Sequence, residues 1–356
     1  MKYFVEETLL DEQDKKNAGG KARQDVTDIL ESIGYQKLIA ESEMHERQEL
    51  NAVQRLVHHY KVKKMWEKTL SVVGKGDEVI IQFPLLNHSL FFNQVIKQLS
   101  KNGVRVYFLI HDLESLRWSQ SKSISLKSRI RLNIEEHSVL RLAEGIIAHN
   151  KKMKSYIKTY SVESSKIIPL EIFDYIIPSY RERKNLDNFQ LNAPIVIAGN
   201  LKQHKSGYVY HLPSNVEFNL YGIGYEQTDD KNVHYCGSFM PEELPFVLKG
   251  SFGLVWDGPS SESCIETYGE YLRVNNPHKT SLYLASGIPV VVWSEAAIAS
   301  FIKENNCGIL VSNLSELPEL LSKITVDEYE LMKKNTEIIG ERLRQGFYTK
   351  QAVKAF

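Results

Sequence analysis

Cysteine is nearly absent. Cys236, Cys264 and Cys307 are the three in 356 residues, and no two form a Cys-x-x-Cys pair. So sparse and odd a set argues against a disulfide scaffold or a zinc site and suits a reducing compartment. Net charge is absent too: 44 Lys+Arg balance 44 Asp+Glu, whereas a general nucleic-acid binder carries a basic excess. No apolar run approaches the ~20 residues of a spanning helix. The charged start, Met1 to Glu7, does not read as a secretory peptide. A cytoplasmic protein with no transmembrane segment and no nucleic-acid partner is expected. Gly-x-Ser-x-Gly, His-Glu-x-x-His, GxGxxG, P-loop and EF-hand patterns are missing, and the His and Asp residues show no metal-ligand spacing. No repeat or low-complexity tract breaks the chain.

What is present is a globular composition, 42% hydrophobic and 25% charged, in a length that suits two domains. Apolar runs alternate with helical periodicity. Residues 2–9, 78–83, 104–110 and 145–148 read as strands. Residues 21–33, 50–73, 90–102, 130–142 and 150–160 read as helices. The stretch 174–192 is polar and charged and reads as an interdomain linker. The pattern then restarts, with strands at 194–199, 216–222, 233–236, 253–256, 288–293 and 308–311. Helices follow at 241–249, 277–286 and 314–324, and a last one runs from about 326. Alternation of this kind predicts α/β domains with parallel sheets, whose ligands bind outside the carboxyl ends of the strands.

Residues 253–292 carry the strongest signal. Asn275-Asn276-Pro277-His278-Lys279-Thr280 joins a polar loop to a helix, with Asn276 as the expected N-cap and Pro277 as the first helical residue. Two basic side chains in a first turn are disfavoured by the helix dipole. Together with free backbone N–H groups they read as a site for a phosphate or diphosphate; the plain alternative is a capped helix with solvated cations. Asn17-Ala18-Gly19-Gly20-Lys21 lets the backbone approach a ligand, or is only a flexible loop. Asn200, Lys202 and Lys205 follow the strand 194–199 where a ligand of the second domain would lie, with a solvated loop as the alternative. His111-Asp112 ends the strand 104–110; Asp112 reads as a proton acceptor for a hydroxyl or as a helix cap. Phe239, at a turn, reads as a stacking ring for a base or as packing. Asp257 and Glu270 read as partners for sugar hydroxyls, and Trp256 as core.

With these residues aligned, the chain resembles the bacterial GT-B glycosyltransferases. The likeness is to the glucosyltransferases that extend serine-rich-repeat adhesins and to the β-1,6-galactofuranosyltransferase-like enzymes. It spans nearly the whole chain, through Asn17 to Lys21, Phe-Leu-Ile-His-Asp, Gly-Leu-Val-Trp-Asp-Gly, Asn-Asn-Pro-His-Lys and Gly346-Phe-Tyr-Thr-Lys350. The resemblance implies an α/β fold of the GT-B type, two Rossmann-like domains facing each other across a cleft. An acceptor-side domain would span 1–175, a nucleotide-sugar domain 193–335, and a helix at 336–356 would return to the first domain. It implies transfer of a hexose, glucose before galactofuranose, from a UDP-sugar to a sugar-bearing acceptor such as GlcNAc-modified Ser/Thr of an adhesin. A non-catalytic partner of the same fold is the alternative. By the same resemblance Lys279, Asn276 and His278 would grip the diphosphate, residues 17–21 would close over the donor, and Phe239 would lie beside uracil. Lys202 and Lys205 stand where the adhesin enzymes have an Arg. No metal and no cofactor beyond the UDP-sugar donor would be needed, and the chain would form a dimer or tetramer.

Overall fold

The computed structural model describes residues 1–9, 18–42, 51–119, 125–183 and 190–356. The chain divides into two compact units. The first takes the described parts of 1–15 and 26–170 and the last residues, 350–356; the second takes those of 16–25 and 171–349.

The first unit is built on six parallel strands: β1 (Lys2–Leu9), β2 (Gln36–Ser42), β3 (Glu78–Phe83), β4 (Arg105–Ile110), β5 (Gly145–Ala148) and β6 (Ile167–Pro169), in the order β2-β1-β3-β4-β5-β6. Runs such as Val79-Ile80-Ile81 are at most 1% exposed, because helices cover both faces of a parallel sheet. Two of these strands are not foreseen by the sequence. β2 is an edge strand in which only Ala40 is buried, so it lacks the apolar run that marks the others. β6 is three residues long. Phe356 closes the unit by stacking on Tyr107 with ring centroids 4.5 Å apart.

The second unit has β7 (Ile195–Asn200), β8 (Phe218–Ile223), β9 (Val233–Gly237), β10 (Gly253–Val255), β11 (Val290–Trp293) and β12 (Gly308–Val311). They are parallel, in the order β12-β11-β10-β7-β8-β9. The sequence places all six within two residues or so. The first residues of the stretch read as an interdomain linker pack into this unit. Asp174, Tyr175 and Tyr180 are buried, and the Asp174 carboxylate accepts the backbone N–H of Tyr348 (3.1 Å) and Thr349 (2.7 Å). Hydrophilic composition misleads there because a buried carboxylate with two N–H donors needs no water. The helix expected over 241–249 shrinks to Leu244–Val247. The one expected from 130 starts at Leu126 and runs on through a π turn, Asn133–His137, that buries Glu135 and Glu136. Among the described residues no helix is long and apolar enough to cross a membrane.

Candidate functional site

In the second sheet the chain runs outward one way from β7 through β8 to β9, and the other way from β10 through β11 to β12. Between β7 and β10 the direction of winding reverses, and the crevice at such a switch point is the usual ligand position in these sheets. The loops after these two strands are clipped together. Gly258 donates its N–H to Lys205 O (2.8 Å), and Tyr208 N–H reaches Gly258 O (3.2 Å). Gly258 has φ +107°, and a Cβ there would lie 2.7 Å from Ile265 O, so only glycine fits. Asn200 shapes its own loop by accepting Lys202 N–H at 3.0 Å, and Ser206 Oγ donates to Asn200 O at 2.8 Å. That turn leaves Lys202 exposed and sets Lys205 Nζ 5.8 Å from the centre of the Tyr268 ring.

Beside this crevice begins helix His278–Ala285, held to β7 by the buried Tyr283. The Tyr283 hydroxyl accepts Ala198 N–H at 2.7 Å, and its ring lies where a Cβ on Gly253 would come within 2.2 Å of it. The helix starts one residue later than the sequence predicts. Pro277, with φ −69° and ψ 132°, is the N-cap. Asn276 does not cap; its Nδ2 donates to Glu171 O at 2.9 Å, and Ser281 Oγ likewise donates to Phe173 O at 2.7 Å. The expected pair of cations is also corrected. The His278 ring packs against Tyr175 and Phe173 with centroids 5.1 and 6.2 Å away. Burial and then the nearby Lys21 charge push its pKa down to about 3, although a bond to the Asp174 backbone opposes them. It is therefore neutral at pH 7, and Lys279 is the one cation of this turn. Lys279 Nζ donates to Trp256 O (2.9 Å) and to the Asp257 carboxylate (2.8 Å), with both side chains largely buried. Asp257 thus serves as the counter-ion of Lys279 in this structure, and Trp256 is core. Asn275 Oδ1, His278 Nε2 and Thr280 Oγ1 are shielded from water and have no hydrogen-bond partner among the described residues. Three such atoms within six residues are unusual, since buried polar groups are nearly always paired.

Of the glycine-rich stretch, Asn17 lies outside the described residues. Ala18, Gly19 and Gly20 form the first turn of helix Ala18–Ser32 rather than a loop. The Lys21 ammonium is turned inward. It pairs with the buried Asp25 carboxylate, donates to Ile176 O at 2.8 Å and sits 4.8 Å above the Tyr175 ring. Its charge is satisfied inside the fold, because Asp25 is one helical turn away on the same face. Phe239 is half-buried, 6.3 Å from the Tyr221 ring.

At the carboxyl edge of the first sheet, His111 Nε2 meets Gln82 Oε1 at 2.7 Å and the Asp112 carboxylate pairs with the Arg117 guanidinium. Glu136 accepts the N–H of Glu114 (2.7 Å) and Ser115 (3.2 Å) at the start of helix Glu114–Ser119. Burial pushes the Glu136 carboxyl up to about 7, against the lowering by these hydrogen bonds. Neither Glu136 nor the Asp257–Lys279 pair is legible in sequence spacing. Partners 22 residues apart meet only because β10 and the helix end at the same crevice.

Two family models match the chain: "Glucosyltransferase 3-like, N-terminal domain" over residues 2–172 and "Glucosyltransferase 3-like, C-terminal domain" over 195–356. Among curated relatives, the chain is 33% identical over 349 residues to Beta-1,6-galactofuranosyltransferase WbbI of Escherichia coli K12, covering 96% of this chain and 94% of that protein. It is 27% identical over 292 residues to Glucosyltransferase 3 of Streptococcus gordonii, covering 80% of each. Among solved structures, it resembles Anabaena Alr3699/HepE in complex with UDP, with a TM-score of 0.56, 12% identity and 99% of each chain covered. An alpha-glucosyltransferase in complex with UDP-glucose and DNA containing an abasic site gives 0.57 and 13%, with 99% of this chain and 97% of that one covered. At such identities the likeness is one of fold, the GT-B arrangement of two Rossmann-like units.

Proposed function

The chain belongs to the glucosyltransferase 3-like family, and on that premise we propose that it transfers a hexosyl unit from a UDP-sugar to a hydroxyl of a sugar-bearing acceptor in the cytoplasm. The observation that carries the reading is the start of helix His278–Ala285 at the β7/β10 crevice. There the N-terminal turn of a helix and the Lys279 ammonium lie together. The departing UDP gains negative charge on its β-phosphate. A cation and N–H donors fixed beside it stabilise that charge as it grows, with no metal needed. Lys202 and Lys205 supply the second pole of the site. Phe239 receives the base, and the backbone at Gly19 and Gly20 approaches the donor. Asp112 takes the proton of the acceptor hydroxyl once it parts from Arg117.

Glucose is the first donor to test and GlcNAc-modified Ser/Thr of an adhesin the first acceptor. The 33% identity to a galactofuranosyltransferase favours UDP-galactofuranose as the second donor. The experiment is UDP release and thermal shift across a panel of UDP-sugars, with and without EDTA. Ligand at 100-fold its Kd adds about 2.7 kcal/mol of stability. Release with one hexose donor, unchanged by EDTA, is the expected result. Binding of UDP with no transfer to any acceptor would leave a non-catalytic partner instead, and strict Mn²⁺ or Mg²⁺ dependence would end the metal-free mechanism. Self-association into a dimer or tetramer is part of the proposal. Helix Ala52–Thr69 exposes Val53, Leu56, Val57 and Tyr60 at helical spacing, a stripe that a second copy would cover. Light scattering on Leu56→Glu, with a monomeric mass expected, tests it.

A further inference from the structure

We propose that the surface formed by helices Glu114–Ser119 and Leu126–Leu132 of the first unit docks on an anionic lipid membrane. Three large apolar side chains stand out there: Trp118 is 43% exposed, Leu126 74% and Ile130 54%. The two helices are held together by the Arg131–Glu114 ion pair, which has one bond of 3.0 Å. The other three tryptophans, Trp66, Trp256 and Trp293, are completely buried, so Trp118 departs from the rule of its own chain. Tryptophan favours the level of lipid headgroups, where one part of the ring is dry and the other wet.

Along these two helices the charge left over after pairing is positive. Each carboxylate between 111 and 137 is already engaged. Asp112 pairs with Arg117, Glu114 and Glu135 pair with Arg131, and Glu136 is buried under the helix start it caps. Lys127 and Arg129 are exposed and show no carboxylate partner among the described residues. On a helix, Leu126 and Ile130 lie one turn apart on one stripe, while Lys127 and Arg129 fall on its two sides. Their aliphatic stems can lie along the stripe with the charged ends at headgroup phosphates. A neutral partner protein would leave these two cations unanswered, and a bilayer of anionic lipid answers both. This docking stands apart from the transfer reaction and does not rest on it, although it would bring the edge that carries Asp112 close to lipid-borne molecules.

The test mixes the full chain with vesicles of equal parts phosphatidylglycerol and phosphatidylcholine, or of phosphatidylcholine alone, and follows cosedimentation and tryptophan emission. Binding to the anionic vesicles only, with a blue shift that Trp118→Phe removes, is expected. Lys127→Gln/Arg129→Gln should weaken partitioning roughly 25-fold, about fivefold for each cation. Leu126→Asp/Ile130→Asp should abolish it. These positions are exposed, so circular dichroism should report an unchanged fold. The proposal is overturned by equal binding to neutral vesicles, by a blue shift that survives Trp118→Phe, or by no binding at all. It is overturned as well if the apolar substitutions change the oligomeric mass and leave vesicle binding intact, since a second copy is then the occupant.

Discussion

Replacing Lys279 would remove two things at once, and the structure separates them. The ammonium lies 2.8 Å from the Asp257 carboxylate, with side chains only 15% and 10% exposed. Taking away one partner of a buried pair strands the other charge, at a cost of about 3 kcal/mol. Lys279→Met keeps the packing of the stem, so most of that loss should come from Asp257. In Lys279→Met/Asp257→Asn no charge is stranded, and stability should return to within about 1 kcal/mol of the parent, because neutral replacement of a buried pair is close to neutral in energy. Diphosphate binding should not return, since the cation is still missing. Turnover should remain depressed by about 10²–10³, the cost of one lost donor at a developing anion. Urea unfolding at pH 8 gives the first quantity, and UDP release with a saturating UDP-sugar gives the second. Stability regained with turnover still lost is the expected pattern. If the double variant bound UDP and turned over like the parent, Lys279 would be a structural partner of Asp257, and the diphosphate would have to lie elsewhere.

Two further predictions concern stability. His278 has a folded pKa of about 3 against an ordinary 6.5. The folded state therefore binds fewer protons, and stability is lost as pH falls through 6.5, by about 2 kcal/mol at pH 5 relative to pH 8. Glu136, raised from 4.5 to about 7, has the opposite sign: its contribution is full below 4.5 and fades as pH rises through 7. The two flatten the parent's profile, so His278→Gln should make the chain relatively more stable at pH 5, and Glu136→Gln relatively more stable at pH 8. Urea midpoints at both pH values check this; parallel curves for parent and variants would refute it. Gly253→Ala should cost about 2 kcal/mol, because its Cβ would strike the buried Tyr283 ring at 2.2 Å and displace the helix that starts at the crevice. A midpoint unchanged within error would show that Tyr283 does not hold that helix.

Most strands of both units, β2 and the three-residue β6 excepted, are legible in the chain because a strand covered on both faces needs a continuous β-branched run. Val290-Val291-Val292 has no other reading of comparable economy. β2 is not legible, since an edge strand that buries one side chain writes almost nothing into composition. The polar block 275–280 is legible as a special helix start, and Trp256 as core. The charge states within that block are not. A histidine in a sequence carries no record of the aromatic rings, more than 100 residues earlier, that help keep it neutral. Lys21 likewise reads as a loop cation until Asp25 is seen one turn on, buried with it.

By itself the sequence determined the alternation of strand and helix, the restart of that pattern after residue 193 and the place of one polar helix start. Each of these follows from local periodicity and from backbone rules that act over a few residues. Only the tertiary structure decided that His278 is uncharged, that Lys279 is the cation, and that Asp257 holds it. Charge and protonation depend on burial and on neighbours distant in the chain, and the fold alone brings Asp257 within 3 Å of Lys279 and the rings of Phe173 and Tyr175 against His278.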